Sequence, residues 1–141
     1  MRAVLDTNVL VSAMLSQGSP PDLILQAWRK GAFQLVTSPS LLRELDRVLA
    51  RPRIRQRLGW SPSERRAFVT ALSEGAVVVT PEVELEVIQA DPADNRLIEA
   101  AVQAEADYIV SGDRLLLDLD TYESIQIVTP ARFAAILASG F

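Results

Sequence analysis

Ala3-Val4-Leu5-Asp6-Thr7-Asn8-Val9-Leu10-Val11 is an apolar run that stops on a carboxylate and passes directly into a second apolar run. Continuous apolar residues without alternation suit a strand covered on both faces, and Thr7-Asn8 is a helix-start signal. The same grammar recurs along the chain. Further strands are predicted over 33–37, 76–80, 108–111 and 125–129, each a short apolar or β-branched run. Helices are predicted over 22–30, 39–50, 54–58, 61–74, from Asp91-Pro92 to about 106, and over 114–118 and 130–138. Ser38-Pro39 and Ser61-Pro62-Ser63-Glu64 supply caps, while Gly31 and Gly59 act as stops. Strands alternating with helices in this way predict the α/β class, in three layers around a parallel sheet.

The 141 residues are enough for a single domain spanning 1–141, with a full core and no staples. A hydrophobic content of 49% and a mean hydropathy of +0.18 point to a globule and not a disordered chain. Arg2 is the one charge before an apolar run broken by Asp6, which reads as a buried strand and not as a signal peptide. No apolar stretch is long enough to span a bilayer, and the absence of cysteine fits a reducing cytoplasm. The expectation is a soluble cytoplasmic protein.

The net charge of −4 hides a division. Residues 1–73 hold 11 Lys/Arg and 5 Asp/Glu, a net +6, and residues 74–141 hold 3 and 13, a net −10. Eight arginines fall between Arg43 and Arg66. They could bind a polyanion or simply solvate two helix faces.

Four acids stand out, and each has a local explanation. Asp6 closes the first strand but could be a turn residue. Asp113, in Ser111-Gly112-Asp113, follows the fourth strand but could cap the next helix. Glu44 lies at the edge of the stripe formed by Leu41, Leu42, Leu45, Val48 and Leu49, yet could reach Arg47 or Arg51. Asp94 falls on the face of Leu97, Ile98, Ala101 and Val102, though Asp91-Pro92-Ala93-Asp94 also reads as N-cap through N3. Together they suggest one site. With no histidine and no cysteine, imidazole bases, thiolate nucleophiles and nitrogen- or sulfur-ligated zinc are excluded. Converging carboxylates repel one another, and oxygen-ligated Mg²⁺ or Mn²⁺, as one ion or two, relieves that cost.

Val-Leu-Asp-Thr-Asn-Val-Leu-Val-Ser at 4–12, Glu44, Asp-Pro-Ala-Asp-Asn at 91–95 and Ala-Asp-Tyr-Ile-Val-Ser-Gly-Asp at 106–113 together resemble a PIN-domain nuclease. The likeness is greatest to the VapC-like toxins of toxin–antitoxin operons, and it extends to Ile-Gln-Ile-Val-Thr-Pro-Ala-Arg-Phe at 125–133. The resemblance implies a Rossmann-like sheet of four to five parallel strands with the acids at its carboxyl edge. It implies a Mg²⁺- or Mn²⁺-dependent endoribonuclease whose catalytic and metal-binding acids are Asp6, Glu44, Asp94 and Asp113. Asn8 and Ser111 fall where polar residues orient ligands or water, and Asp91 and Asp118 are accessory acids. Family members usually form homodimers held inactive by an antitoxin protein; Ile24, Leu25, Trp28, Trp60 and Phe68 are candidate interface residues, although plain core packing is the better reading for most of them. Arg43, Arg47, Arg51, Arg53 and Arg55 would hold the RNA backbone.

Two other readings use the same residues. A metal-dependent phosphatase with Asp6 as covalent nucleophile needs a second acid two residues on, where Asn8 stands, and a site lysine, whereas Lys30 is the only lysine. A catalytically silent module of the same fold would bind RNA or a protein without cutting. A dinucleotide-binding domain is disfavoured because no Gly-x-Gly-x-x-Gly follows the first strand.

Overall fold

Ser or Thr followed by Pro starts four of the helices, and in each the hydroxyl accepts a backbone N–H of the first turn. A computed structural model describes residues 1–140. The chain runs β1 (Arg2–Leu5), α1 (Thr7–Leu15), α2 (Pro20–Arg29), β2 (Gln34–Thr37), α3 (Pro39–Leu49), α4 (Pro52–Leu58) and α5 (Pro62–Gly75). It continues through β3 (Val77–Val78), α6 (Asp94–Gln103), β4 (Tyr108–Val110), α7 (Arg114–Leu119), β5 (Thr121–Tyr122), β6 (Ile125–Val128) and α8 (Pro130–Ser139).

The strands form one six-stranded sheet in the order β3-β2-β1-β4-β6-β5. Val4 lies opposite Val36 of β2 and Ile109 of β4, so β1 sits at the centre of a parallel array. Side chains alternate across it. Ala3, Leu5, Leu35 and Val110 enter the core shared with α1, α2, α3 and α8, whereas Val4, Val36 and Ile109 enter the core shared with α6 and α7. The result is the expected three-layer, Rossmann-like α/β architecture, and no described helix is long and apolar enough to cross a membrane. Strand order reverses between β1 and β4, so the crevice above their carboxyl ends is where such sheets place ligands.

Three differences from the sequence reading bear on the site. A two-residue strand, β5, pairs antiparallel with β6, where no strand was predicted; it is too short to carry a periodic signal. β3 covers Val77–Val78 and not 76–80, because Pro81 soon ends pairing with β2. Helix α6 begins at Asp94 and not at Asp91-Pro92, since 91–93 form a tight turn with Asp91 C=O accepting from Asp94 N–H at 3.1 Å. It also ends at Gln103, before 106. Ala106 N–H donates to Ala101 C=O and Glu105 N–H to Val102 C=O, a Schellman stop with Glu105 at φ 51°. Because glutamate takes the left-handed position usually given to glycine, the stop left no mark in the sequence.

Candidate metal centre

Asp6 leaves the end of β1 with its N–H donating to Val110 C=O of β4 at 2.9 Å. Its own carbonyl accepts Val9 N–H and opens α1, yet its side chain makes no cap bond. Instead Asp6 Oδ2 accepts the Ser111 hydroxyl at 2.7 Å, and Ser111 Oγ in turn accepts Asp113 N–H at 2.9 Å. Ser111 is fully buried, so this relay ties the ends of β1 and β4 together away from water. Asp113 caps α7 with Oδ1, which accepts Leu115 N–H at 2.9 Å. The cap reading of Asp113 is therefore correct, and the same carboxylate still faces the crevice with its neighbours.

Those neighbours come from the turn before α6. Asp91, Asp94 and Asp113 each bring a carboxylate oxygen within 4.8 Å of the other two. Asp94 is buried, with Asp91 and Asp113 half-buried beside it. Glu44, half-buried on α3, lies near Asp6, Asp91 and the buried Thr7.

Burial dominates the electrostatics. It pushes the Asp94 carboxyl up from 3.8 to about 8, with the adjoining Asp113 carboxyl and the charges of Asp113, Asp91 and Asp6 adding to the effect. Burial also raises Asp6, with the Ser111 hydroxyl and the Asn8 backbone N–H opposing, and raises Glu44, where the charge of Asp6 adds to the effect. The residues fit a hard divalent ion, because Asp94 Oδ2 is buried with no hydrogen-bond partner among the described residues. An orphaned carboxylate oxygen beside two other acids is a hard donor suited to such an ion.

Of the four acids expected at the centre, Asp94 and Asp113 enter this close group; Asp6 and Glu44 stand beside it, within its field. Asp91, expected as accessory, is one of the three. Asn8 is exposed on the first turn of α1, and Asp118 is exposed on α7 outside the group of three. Arg43 and Arg47 on α3, Arg51 at the start of α4, and Arg53 and Arg55 on α4 are all exposed. Arg43, Arg47 and Arg66 rim a groove of about 560 Å³ between α3 and α5, floored by Leu42 and Val69.

Ile24 and Leu25 are buried in the core and offer no interface, because the apolar face of α2 packs against α1 and α8. Trp28 is half-buried, and Trp60 stacks on Phe68 with ring centroids 5.4 Å apart. Sequence reading missed two buried polar residues at the site, Thr7 and Asn95. Thr7 carried a signal in following a strand-ending acid; Asn95 carried none.

A PIN-domain family profile matches residues 2–115. The chain is also 32% identical over 121 residues to a protein of Methanocaldococcus jannaschii described as uncharacterized, a match covering 84% of this chain and 75% of that one.

Proposed function

From the premise that the chain belongs to the PIN-domain family, whose members are generally nucleases that bind divalent metals, we propose a Mg²⁺- or Mn²⁺-dependent endoribonuclease. The observation that carries the reading is the group Asp91, Asp94 and Asp113, with its orphaned Asp94 oxygen, at the sheet's switch point.

These three carboxylates would hold the cation, with Asp6 kept in place by Ser111. When bound, the ion supplies Lewis acidity that makes water nucleophilic near neutral pH and offsets charge on the phosphate. Glu44, outside the close group and beside Asp6, would serve as the carboxylate that takes a proton from a water bound there. No protein-borne covalent nucleophile is needed, consistent with a chain lacking histidine and cysteine. RNA as substrate is supported by the exposed arginines, which match a phosphate backbone without reading sequence. Single-strand cleavage as the toxin of a toxin–antitoxin pair, in the cytoplasm and as a homodimer inhibited by its antitoxin, follows from the VapC-like resemblance and belongs to the same proposal.

Incubating purified protein with RNA and Mn²⁺ or Mg²⁺, with and without EDTA, tests the activity. Internal cleavage lost on chelation and in both Asp6→Asn and Asp94→Asn is expected. Cleavage that survives either treatment overturns the mechanism, and RNA retained but uncut identifies a binding module. A short neighbouring reading frame whose product copurifies and blocks cleavage would support the toxin role; its absence would oppose it.

A further inference from the structure

The segment 82–88 belongs to no helix or strand, yet its backbone is held at three points by side chains of one helix. Asn95 Oδ1 accepts Ile88 N–H at 2.8 Å and Asn95 Nδ2 donates to Ile88 C=O at 2.9 Å. Glu99 Oε2 accepts Leu85 N–H at 2.8 Å, and Gln103 Oε1 accepts Glu82 N–H at 3.1 Å. Asn95, Glu99 and Gln103 are four residues apart, so they form a stripe along α6 next to the face that covers the sheet. Arg96 Nη2 donates to the same Glu99 Oε2 at 3.0 Å, and its Nε lies 2.9 Å from Oε1 as an ion-pair contact, which steadies the middle rung.

Asparagine suits the inner rung for a chemical reason. Its amide both donates and accepts, so it satisfies both polar groups of Ile88 as a neighbouring strand would. Ile88 and Asn95 are both buried, and an unpaired backbone group there would be costly.

The ladder ends three residues before Asp91. Asp6, Asp94 and Asp113 each sit at the end of a strand or the start of a helix, whereas Asp91 lies in the turn before α6, where its carbonyl accepts Asp94 N–H at 3.1 Å and its Oδ1 accepts Ala93 N–H at 3.2 Å. Those bonds tie Asp91 to the start of α6 but leave the chain that enters the turn to be fixed from segment 82–88. We propose that Asn95, backed by Glu99 and Gln103, is a positioning residue for the metal site: it pins segment 82–88 and so holds Asp91 against its fellow carboxylates. This rests on reading Asp91, Asp94 and Asp113 as the metal site.

Calorimetric Mn²⁺ titrations of the whole protein, paired with amide hydrogen exchange, test it. In Asn95→Ala, Mn²⁺ affinity should fall about tenfold, the scale for losing a residue that orients a ligand, while exchange at Leu85 and Ile88 accelerates. In an Asp91→Asn background, adding Asn95→Ala should weaken Mn²⁺ no further, a result that general destabilisation would not give. Unchanged affinity with faster exchange overturns the proposal, as does an equal loss in both backgrounds. Should Asn95→Ala not fold, the exposed Gln103→Ala, which removes the outer rung, decides by the same readouts with a twofold to threefold loss expected. No Mn²⁺ uptake by the unaltered protein overturns the metal reading itself, an outcome distinct from any of these.

Discussion

Asp6 and Asp113 stand at the ends of two hydrogen-bonded parallel strands, whereas Asp91 and Asp94 come from a turn and the first residue of a helix packed across the sheet. The strand half of the crevice is set by a backbone ladder and one buried hydroxyl, Ser111. The helix half depends on side chains reaching back to an irregular segment. The two halves meet where the Asp94 and Asp113 carboxylates come within 4.8 Å of each other, so the crevice is complete only when both are in register. A strand end tolerates little freedom; a strap held by three side chains can be loosened one rung at a time.

Removing the meeting point should have the largest effect. Asp94→Asn takes away the buried orphan oxygen, and cleavage in Mn²⁺ should fall by more than the roughly 100-fold typical of losing a partner that only orients a ligand. A smaller loss in a cleavage assay would place the ion elsewhere. Within the helix half, Asp91→Asn should weaken Mn²⁺ binding about tenfold, while Asp118→Asn, on an exposed position outside the group, should leave it unchanged. Equal effects of the two in a titration would erase the distinction between them.

The raised Asp94 carboxyl gives a pH test. An acid whose folded value is raised from 3.8 to about 8 binds an extra proton on folding. Its stabilising contribution is complete below the unfolded value and is lost as pH rises through about 8. Asp6 and Glu44, also raised, act in the same direction. The metal-free protein should therefore melt at lower temperature at pH 8 than at pH 5, and Asp94→Asn should flatten most of that slope. A melting temperature that rises over this range would contradict the assigned direction.

In the strand half, Ser111→Ala leaves Asp6 Oδ2 and Asp113 N–H without their partner and should cost about 1–3 kcal/mol by chemical denaturation. A change below about 0.5 kcal/mol would mean the relay is dispensable. The smallest effect belongs to neither half. Arg53→Ala on exposed α4 should reduce the slope of log affinity for single-stranded RNA against log salt by about 0.7, with Mn²⁺ affinity unchanged. An unaltered slope would remove Arg53 from the RNA contact.

Legibility in the sequence followed the same division. Asp6 was readable because an apolar run ending in an acid encodes both the strand and the place of the side chain that closes it, and Asp113 because Ser111-Gly112-Asp113 joins a strand end to a capped helix at the same sheet edge. The inward phase of Asp94 was also readable, although α6 starts at Asp94 and not three residues earlier. Asp91 was taken for an accessory acid because Asp-Pro is a strong cap signal, and a cap points along its own helix. Its true placement depends on Asn95, Glu99 and Gln103 binding backbone 7 to 21 residues away, contacts that no local pattern encodes. Ile24 and Leu25 went to the core, the favoured of the two readings left open, because an amphipathic face looks alike whether it meets a partner or its own core.

Anomalous diffraction from a crystal soaked in Mn²⁺ tests the joining of the two halves most directly. The expected result is a peak bounded by the carboxylates of Asp91, Asp94 and Asp113, absent from Asp94→Asn crystals. A peak held instead by the exposed Glu82, Glu84 and Glu86, or no peak at saturating Mn²⁺, would contradict it.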